Sequence, residues 1–290
     1  MLGSSEFYLV STNHLETTLW FRDEEDFKTG MNAVALVSAV SGICVLAFIL
    51  MSNHVHFVLA CTRQKASDFI ETYKNHYSRY YSKKYNSREL LRRNGVDIRR
   101  VMPEDESLQR AIAYVQMNPP AANICINASD YPWGSGSCFF RPVGVKGILV
   151  ESLSKRKQSA LFHSRQPVPP SMILNADGYV DPRSFVNVKW VESIFRTPKS
   201  MNFFLTNSSK AKRRLDNESA IPAFRDQVVA SAFSDLCLSL FGVTGISKLE
   251  EKDLAEVLRQ IRYRFSANVH QLTRVTGIEY RRVCNLLEMV

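Results

Sequence analysis

The order of the predicted elements indicates an α+β fold, with a ferredoxin-like antiparallel sheet carrying helices on one face and a mainly helical C-terminal region after it. Three observations support this prediction. Residues 7–12 and both halves of 43–60 are short runs rich in aromatic and β-branched residues, as is typical of strands. Residues 23–40 carry apolar side chains at helical spacing. Beyond residue 223 the apolar pattern is helical.

The first helix is expected to begin after Asp23, whose side chain can cap it, and to end at Ser41-Gly42. Residues 43–60 then form two buried strands joined by a tight turn at Ser52 and Asn53. The order strand, helix, strand, strand is the first half of a ferredoxin-like sheet.

A second helix, both aromatic and basic, is predicted from about Ala66, and residues 96–101 follow as a strand. A third helix should end near Asn118, because Pro119 and Pro120 cannot continue its hydrogen bonds. Tyr114 and Asn118 are four residues apart, so they share a face of its last turn.

Three regions are predicted: a catalytic domain over 1–145, a linker and small mixed basic region over 146–222, and a helical region over 223–290. Residues 268–287 have helix-turn-helix spacing, with Gly277 in the turn and paired arginines in the second helix. The alternative is a helical hairpin that binds nothing.

The net charge of +9 is concentrated in three later segments. Such segments indicate either a surface that binds nucleic acid or a basic surface that is only solvated, and the charge favours the two interpretations about equally. No apolar run reaches the length of a membrane span, and residues 1–6 lack the features of a secretion signal. The six cysteines form no CxxC pair, which favours reduced thiols in a cytoplasmic protein.

His54 and His56 lie two residues apart on one predicted strand, so their imidazoles point to the same face. Such a pair is half of a metal site. Half or more of the histidine pairs of this kind, however, have a structural role. The other histidines have no evident ligand spacing to the pair; they are His14, His76, His163 and His270.

Residues 50–59 read LMSNHVHFVL, residues 113–119 read AYVQMNP, and residues 130–135 read DYPWGS. In this order, the three motifs resemble the HUH single-tyrosine transposases, in particular the REP-associated tyrosine transposases and related insertion-sequence transposases. The resemblance covers about residues 5–140 and implies the HUH nuclease fold. The C-terminal helix-turn-helix also recurs in longer members of this group.

The chain departs from the family pattern at a few positions. Ser52 replaces a proline in the turn, and Gly134 and Gly136 follow Trp133 where small polar or aromatic residues are usual. The run after Pro119 also differs, and a Gly-x-Leu-Trp-Gln segment is not recognisable near residues 90–95. These departures concern turn rigidity and DNA recognition more than the nucleophile.

The resemblance implies that His54, His56 and Asn118 bind a divalent metal, Mg²⁺ or Mn²⁺, and that Tyr114 attacks the DNA phosphodiester. It implies a 5′-phosphotyrosine intermediate and a free 3′-hydroxyl. Other tyrosines compete as the nucleophile, and they lie on the second helix: Tyr73, Tyr77, Tyr80 and Tyr81.

The implied partner is single-stranded or hairpin DNA, with a possible homodimer and no membrane. Localisation is expected in the cytoplasm, with the nucleoid when DNA is bound. Charge and position indicate these candidate DNA contacts: Arg79, Lys83, Lys84, Arg92, Arg93, Arg99, Arg100, Arg274, Arg281 and Arg282. Two further hypotheses are a domesticated, non-cleaving sequence-specific DNA-binding protein and a metal-dependent nuclease that uses water instead of tyrosine.

Overall fold

The computed structural model describes residues 6–15, 18–87, 94–122, 124–141, 144–208, 224–265 and 267–289. The predicted contacts Arg92 and Arg93 lie outside these ranges. Six strands are formed: β1 Phe7–Thr12, β2 Cys44–Met51, β3 His54–Ala60, β4 Val96–Val101, β5 Ile148–Leu149 and β6 Ile173–Leu174.

The described α-helices fall into two groups along the chain. The first group accompanies the strands: α1 Glu24–Ser41, α2 Arg63–Tyr85, α3 Ser107–Gln116, α4 Asn118–Ala121, α5 Lys155–Phe162, α6 Val188–Phe195 and α7 Pro198–Thr206. The second group follows residue 223: α8 Asp226–Phe241, α9 Glu251–Phe265, α10 Val269–Thr276 and α11 Tyr280–Glu288. Short 3-10 turns lie at Glu104–Glu106, Ala128–Asp130, Val150–Ser152, Pro182–Ser184 and Ile246–Lys248.

The main sheet has the strand order β2-β3-β1-β4, and each neighbouring pair is antiparallel. This is the strand order of a ferredoxin-like sheet, in which two β-α-β units interleave. The predicted antiparallel α+β sheet is therefore confirmed. The register places Ser11 of β1 directly opposite His56 of β3.

The prediction of helices on one face of the sheet is wrong, because helices cover both faces. On one face, Phe57 packs against Phe69 and Tyr73 of α2. The neighbouring residue His56 points to the other face, where its ring contacts Tyr114 of α3. Side chains of a strand alternate between faces, so each face of this fully buried strand needs its own cover.

The limits of α1 follow from its sequence. Asp23 accepts a hydrogen bond from the backbone N–H of Asp26, and Gly42 ends the helix in the left-handed conformation at φ 62°. Helix α2 starts at Arg63, three residues before the predicted start, because the side chain of Thr62 accepts a hydrogen bond from the backbone of Lys65.

The third helix ends earlier than predicted. Helix α3 stops at Gln116, and Pro119 and Pro120 lie inside the separate short helix α4. Proline fits the first turn of a helix, where its missing N–H has no partner to lose. The prolines therefore support a new helix instead of only ending the old one, and Tyr114 and Asn118 lie on successive helices.

The two edges of the main sheet differ. Beside β2, Ser135 exchanges hydrogen bonds with Phe48, and Leu50 donates its N–H to the carbonyl of Trp133. A Cβ atom at Gly134 would lie 2.8 Å from the carbonyl oxygen of Phe48, so this close approach requires glycine. At the other edge, no strand in the described ranges pairs with the outer side of β4, which exposes Asp97, Arg99 and Arg100.

Residues 185–204 pack on the same core as the sheet, whereas apolar residues between 150 and 180 form a smaller cluster against α1. Val186, Val191 and Phe195 are buried together with residues of β1–β3, and the N–H of Asn187 donates to the carbonyl of Val45. The predicted domain boundaries stay a prediction. The described part of the segment that was predicted as a linker nevertheless contributes to this core.

A second core lies in the C-terminal helices, where Val229, Leu258, Leu272 and Val283 are buried against one another. Within the described chain, one segment, Asp226–Lys248, could span a membrane by length and composition, with 22% of its apolar window buried. The sequence prediction missed this segment because serines and glycines interrupt it. A helix of a soluble protein passes the same test, so the observation is weak evidence for a span.

Candidate active site

The two strand histidines lie together on the sheet face that α3 covers. Their ring centroids are 4.8 Å apart, with the ring planes nearly perpendicular, and both residues are buried. The predicted common face of His54 and His56 follows from their alternation on β3.

Both imidazoles are oriented through Nδ1. In His54, Nδ1 lies 2.9 Å from Oδ1 of Asn53, and in His56, Nδ1 lies 2.7 Å from the hydroxyl of Ser11. A ring held by an oxygen at one nitrogen presents the lone pair of the other nitrogen to a metal, which is the usual outer-shell arrangement of histidine ligands. The pair therefore fits a divalent ion bound through Nε2.

Tyr114 stands beside this pair. Its ring centroid is 5.7 Å from that of His56, in an edge-to-face arrangement, and the side chain is only partly buried. The neighbouring residues Ala113 and Val115 are buried in the core and hold α3 against the sheet. The Tyr114 side chain is thus not sealed in the core, which is a requirement for a nucleophile.

Asn118 is linked to the same helix end. Its Nδ2 donates hydrogen bonds to the carbonyl oxygens of Tyr114, at 2.9 Å, and of Val115, at 3.1 Å. The side chain is buried, and its Oδ1 is left as the acceptor atom. Asn118 thus closes the end of α3 and still offers a hard oxygen ligand.

The described residues contain no cluster of three His, Cys, Asp or Glu side chains that could hold a metal. A metal held by the described residues alone would use the two histidines with a ligand of another type. A carboxamide oxygen such as that of Asn118 meets this need, since magnesium and manganese prefer oxygen ligands.

The structure adds a residue that sequence reasoning missed. His14, in the loop after β1, stacks on His54 with ring centroids 3.8 Å apart and planes inclined by 14°. In nearly parallel rings the in-plane lone pairs run side by side, so the two imidazoles do not point at one ion. His14 therefore packs on the ring of His54, and no spacing in the sequence indicates such a contact.

The competing tyrosines lie on the opposite side of the sheet. Tyr77 and Tyr81 are buried and donate their hydroxyls to the carbonyls of Trp20 and Leu19. Burial raises the pKa of Tyr73 and Tyr77, and it raises the pKa of Tyr80 to about 12. The hydroxyls of Tyr73, Tyr77 and Tyr80 are therefore harder to ionise than usual. Helix α2 keeps all the competing tyrosines away from the histidines.

The predicted DNA contacts differ in how strongly their charges are already paired. Arg79, Lys83 and Arg281 are exposed and form no ion pair within the described residues. Several others form exposed pairs that a phosphate could replace at small cost: Arg99 with Asp97, Arg100 with Glu6 and Arg282 with Glu251.

Lys84 and Arg274 are bound more firmly. Lys84 pairs with Asp23, Glu25 and Asp26, and Asp26 is fully buried. Arg274 donates to both carboxylate oxygens of Asp226, which is also buried. Since removing either cation would leave a buried carboxylate without its counter-charge, these two residues are the least able to leave for DNA.

Comparison with known proteins bears on the segment that carries the histidines. Residues 20–95 match the family model for IS200-like transposases. The match covers about a quarter of the chain, and over that segment the chain is similar to IS200-like transposases. The IS200-like segment contains α1, β2, β3 and α2, and thus His54 and His56, whereas Tyr114 and Asn118 lie beyond it. The resemblance to transposases drawn from the sequence is therefore confirmed over residues 20–95, which include the motif with His54 and His56.

The other comparisons add little. A solved structure of the REP-associated tyrosine transposase bound to a REP hairpin is 10% identical, with a TM-score of 0.33, and the match covers 46% of this chain and 76% of that one. A likeness of that size supports no conclusion about fold or function. None of the curated proteins matches the chain.

Proposed function

We propose that the protein is a DNA transposase that cleaves and rejoins single-stranded, hairpin-bearing DNA through a covalent 5′-phosphotyrosine intermediate on Tyr114. The observation that carries the proposal is the contact between Tyr114 and His56, next to His54, on one face of the sheet. The IS200-like match of the segment that carries both histidines supports the reaction class.

In the proposed reaction, the hydroxyl oxygen of Tyr114 forms a bond to phosphorus and the bond to the 3′ oxygen breaks. The products are a 5′-phosphotyrosine and a 3′-hydroxyl. When the 3′-hydroxyl of another end attacks the phosphotyrosine, a new phosphodiester forms and the bond to Tyr114 breaks. In the first step the phenol loses its proton to solvent and the departing 3′ oxygen gains one; the second step reverses this exchange. Position and solvent access suit Tyr114 for this role better than the buried tyrosines of α2.

A divalent ion, Mg²⁺ or Mn²⁺, would when bound neutralise the charge that develops on the phosphate oxygens. His54 and His56 would hold it through Nε2, with Asn118 as the oxygen ligand. Asn53 and Ser11 would fix the orientation of the two rings through Nδ1.

The exposed cations are the proposed contacts for the DNA backbone. They are Arg79, Lys83, Arg99, Arg100, Arg281 and Arg282, whereas Lys84 and Arg274 are left out because carboxylates hold them. Helices α10 and α11 would serve as a helix-turn-helix, in which the exposed α11 arginines face DNA.

The test is a covalent-adduct assay. The protein is incubated with end-labelled, hairpin-bearing single-stranded DNA and Mn²⁺, and the products are separated on a denaturing gel. We expect a protein–DNA adduct from the wild type, none from Tyr114→Phe, and an unchanged yield from Tyr73→Phe, which removes a competing hydroxyl on the opposite side of the sheet. Chelation or His54→Ala should also remove the adduct.

Each alternative gives a different result. An adduct that persists in Tyr114→Phe would refute the nucleophile assignment. Cleavage without any adduct would favour a metal-dependent nuclease that uses water. Binding without cleavage by the wild type, and equal binding by Tyr114→Phe, would favour a non-cleaving DNA-binding protein.

A further inference from the structure

We infer that Asp226 is a positioning residue for the histidine site: from the C-terminal helices, it holds the turn between β2 and β3 and thereby the ring of His54. The inference concerns the site on which the proposed function rests. It assigns to the C-terminal region a structural role at this site in addition to any contact with DNA.

Asp226, at the first position of α8, is the centre of a buried hydrogen-bond network. Its carboxylate accepts hydrogen bonds from the hydroxyl of Ser52, at 2.5 Å, from Nε2 of Gln271, at 2.9 Å, and from two guanidinium nitrogens of Arg274. Only 5% of Asp226 is exposed. Hydrogen bonds to a buried carboxylate are among the stronger ones in proteins, so this network fixes Ser52 to α8 and α10.

The turn transmits this restraint to the metal-site ring. Ser52 is followed by Asn53, and Asn53 binds Nδ1 of His54 through Oδ1 while its Nδ2 donates to the carbonyl of Leu15. The carbonyl of Ser52 also accepts the N–H of Trp20 at 2.7 Å. A shift of the turn would therefore displace the oxygen that orients His54.

The identity of residue 52 supports the inference. A turn residue without a hydroxyl, such as alanine or proline, could not donate this hydrogen bond. Here serine supplies the donor that the carboxylate of Asp226 accepts. The turn is thus held by a hydrogen bond to a distant part of the chain.

Two further contacts should keep the C-terminal region in place when the hydrogen bond between Ser52 and Asp226 is removed. Nε2 of Gln227 donates to the carbonyl of Phe21 at 2.7 Å, and Arg225 lies over the ring of Tyr131. In Ser52→Ala, the pair between Asp226 and Arg274 also persists, so that variant loosens the turn without exposing the C-terminal core.

The experiment uses the full chain with Ser52→Ala, Ser52→Thr and Asp226→Asn. Asp235→Asn is the matched control, because Asp235 lies on the same helix and is exposed. Two quantities are measured: amide hydrogen exchange of residues 50–56 without metal, and the Kd for Mn²⁺ by calorimetry. In Ser52→Ala and Asp226→Asn, the amides of residues 50–56 should exchange at least tenfold faster than in the wild type. Both variants should also bind Mn²⁺ about tenfold more weakly than the wild type.

Ser52→Thr keeps a hydroxyl and should restore both quantities, and Asp235→Asn should leave both unchanged. Equal exchange in the wild type, Ser52→Ala and Asp226→Asn would overturn the inference. If the wild type binds no Mn²⁺, the metal role in the proposed function fails, whereas the exchange measurement still decides whether Asp226 holds the turn. The two failures are therefore distinguishable.

Discussion

Asn118 uses the two ends of its amide for different purposes. Nδ2 closes the end of α3 by donating to two carbonyl oxygens, which leaves Oδ1 for the proposed metal. An aspartate would be the stronger ligand for magnesium, but it has no hydrogen to donate. The position therefore favours asparagine for a structural reason that metal chemistry alone would not predict.

We accordingly expect Asn118→Asp to lower adduct formation at least tenfold and to destabilise the fold by about 1–3 kcal/mol, because a carboxylate would face two carbonyl oxygens. Gel assays and thermal unfolding measure the two effects. Asn202→Asp, on the exposed side of α7, makes the same chemical change and should be neutral. Activity in Asn118→Asp equal to or above that of the wild type would contradict this role.

Individual residues also show where sequence reasoning stops. The spacing of four residues relates Tyr114 to Asn118, and the two are indeed in contact, although through a side-chain hydrogen bond across a break between helices. His14 escapes prediction because its stacking on His54 depends on the path of a loop. Local periodicity carries no information about that path.

Among the elements, strands and helix caps are well determined by the sequence. The predicted bounds of β1 and β4 agree with the structure, and Asp23 caps α1 as predicted. These features depend on neighbouring residues only. By contrast, the packing of α3 on the second face of the sheet depends on contacts between distant segments, which the sequence pattern does not specify.

The contact between α1 and α2 through Lys84 allows a test of stability. Lys84 donates to Asp23 and to the buried Asp26. Burial acts to raise the pKa of Asp23, but the hydrogen bonds from Lys84 and the Asp26 N–H outweigh it, so the pKa lies below its usual value. Removal of the ammonium in Lys84→Met should destabilise the protein by about 2 kcal/mol near neutral pH.

The difference in the free energy of unfolding between Lys84→Met and the wild type should depend on pH. Since the pKa of Asp23 is depressed in the folded state, its contribution is complete above its pKa in the unfolded chain, about 3.9, and is lost as the pH falls through the folded value. Urea unfolding should therefore show that the two free energies of unfolding become more similar below about pH 4. Lys83→Met, an exposed neighbour, should show neither effect.

At the scale of the whole molecule, the charge of +9 predicts salt-dependent DNA binding. Removing two phosphate contacts with Arg79→Gln and Lys83→Gln should reduce the slope of log affinity against log salt by about 1.4 for a single strand. Fluorescence anisotropy over a salt series measures the slope. An equal loss of charge at Lys248 and Lys252 is the control, and an equal reduction there would mean that net charge alone governs binding.

The attachment of the C-terminal helices could not have been predicted from the sequence. Arg274 was predicted to bind DNA because it lies in a basic segment, whereas the fold places it against Asp226. Asp226 and Arg274 are 48 residues apart, and Asp226 and Ser52 are 174 apart. Hydrogen-bond partners that lie so far apart in the sequence are determined by how whole regions pack together. The pattern of charges along the sequence contains no information about that packing.

The unequal edges of the sheet have a consequence for solubility. The β2 edge is covered by residues 133–135 beside Phe48–Leu50 and by residues 186–187 beside Val45, so it offers little free backbone to another chain. At the β4 edge, the charges of Asp97, Arg99 and Arg100 stand where a neighbouring strand would have to pair. Substitutions that neutralise these three side chains would turn the same edge into a starting point for aggregation.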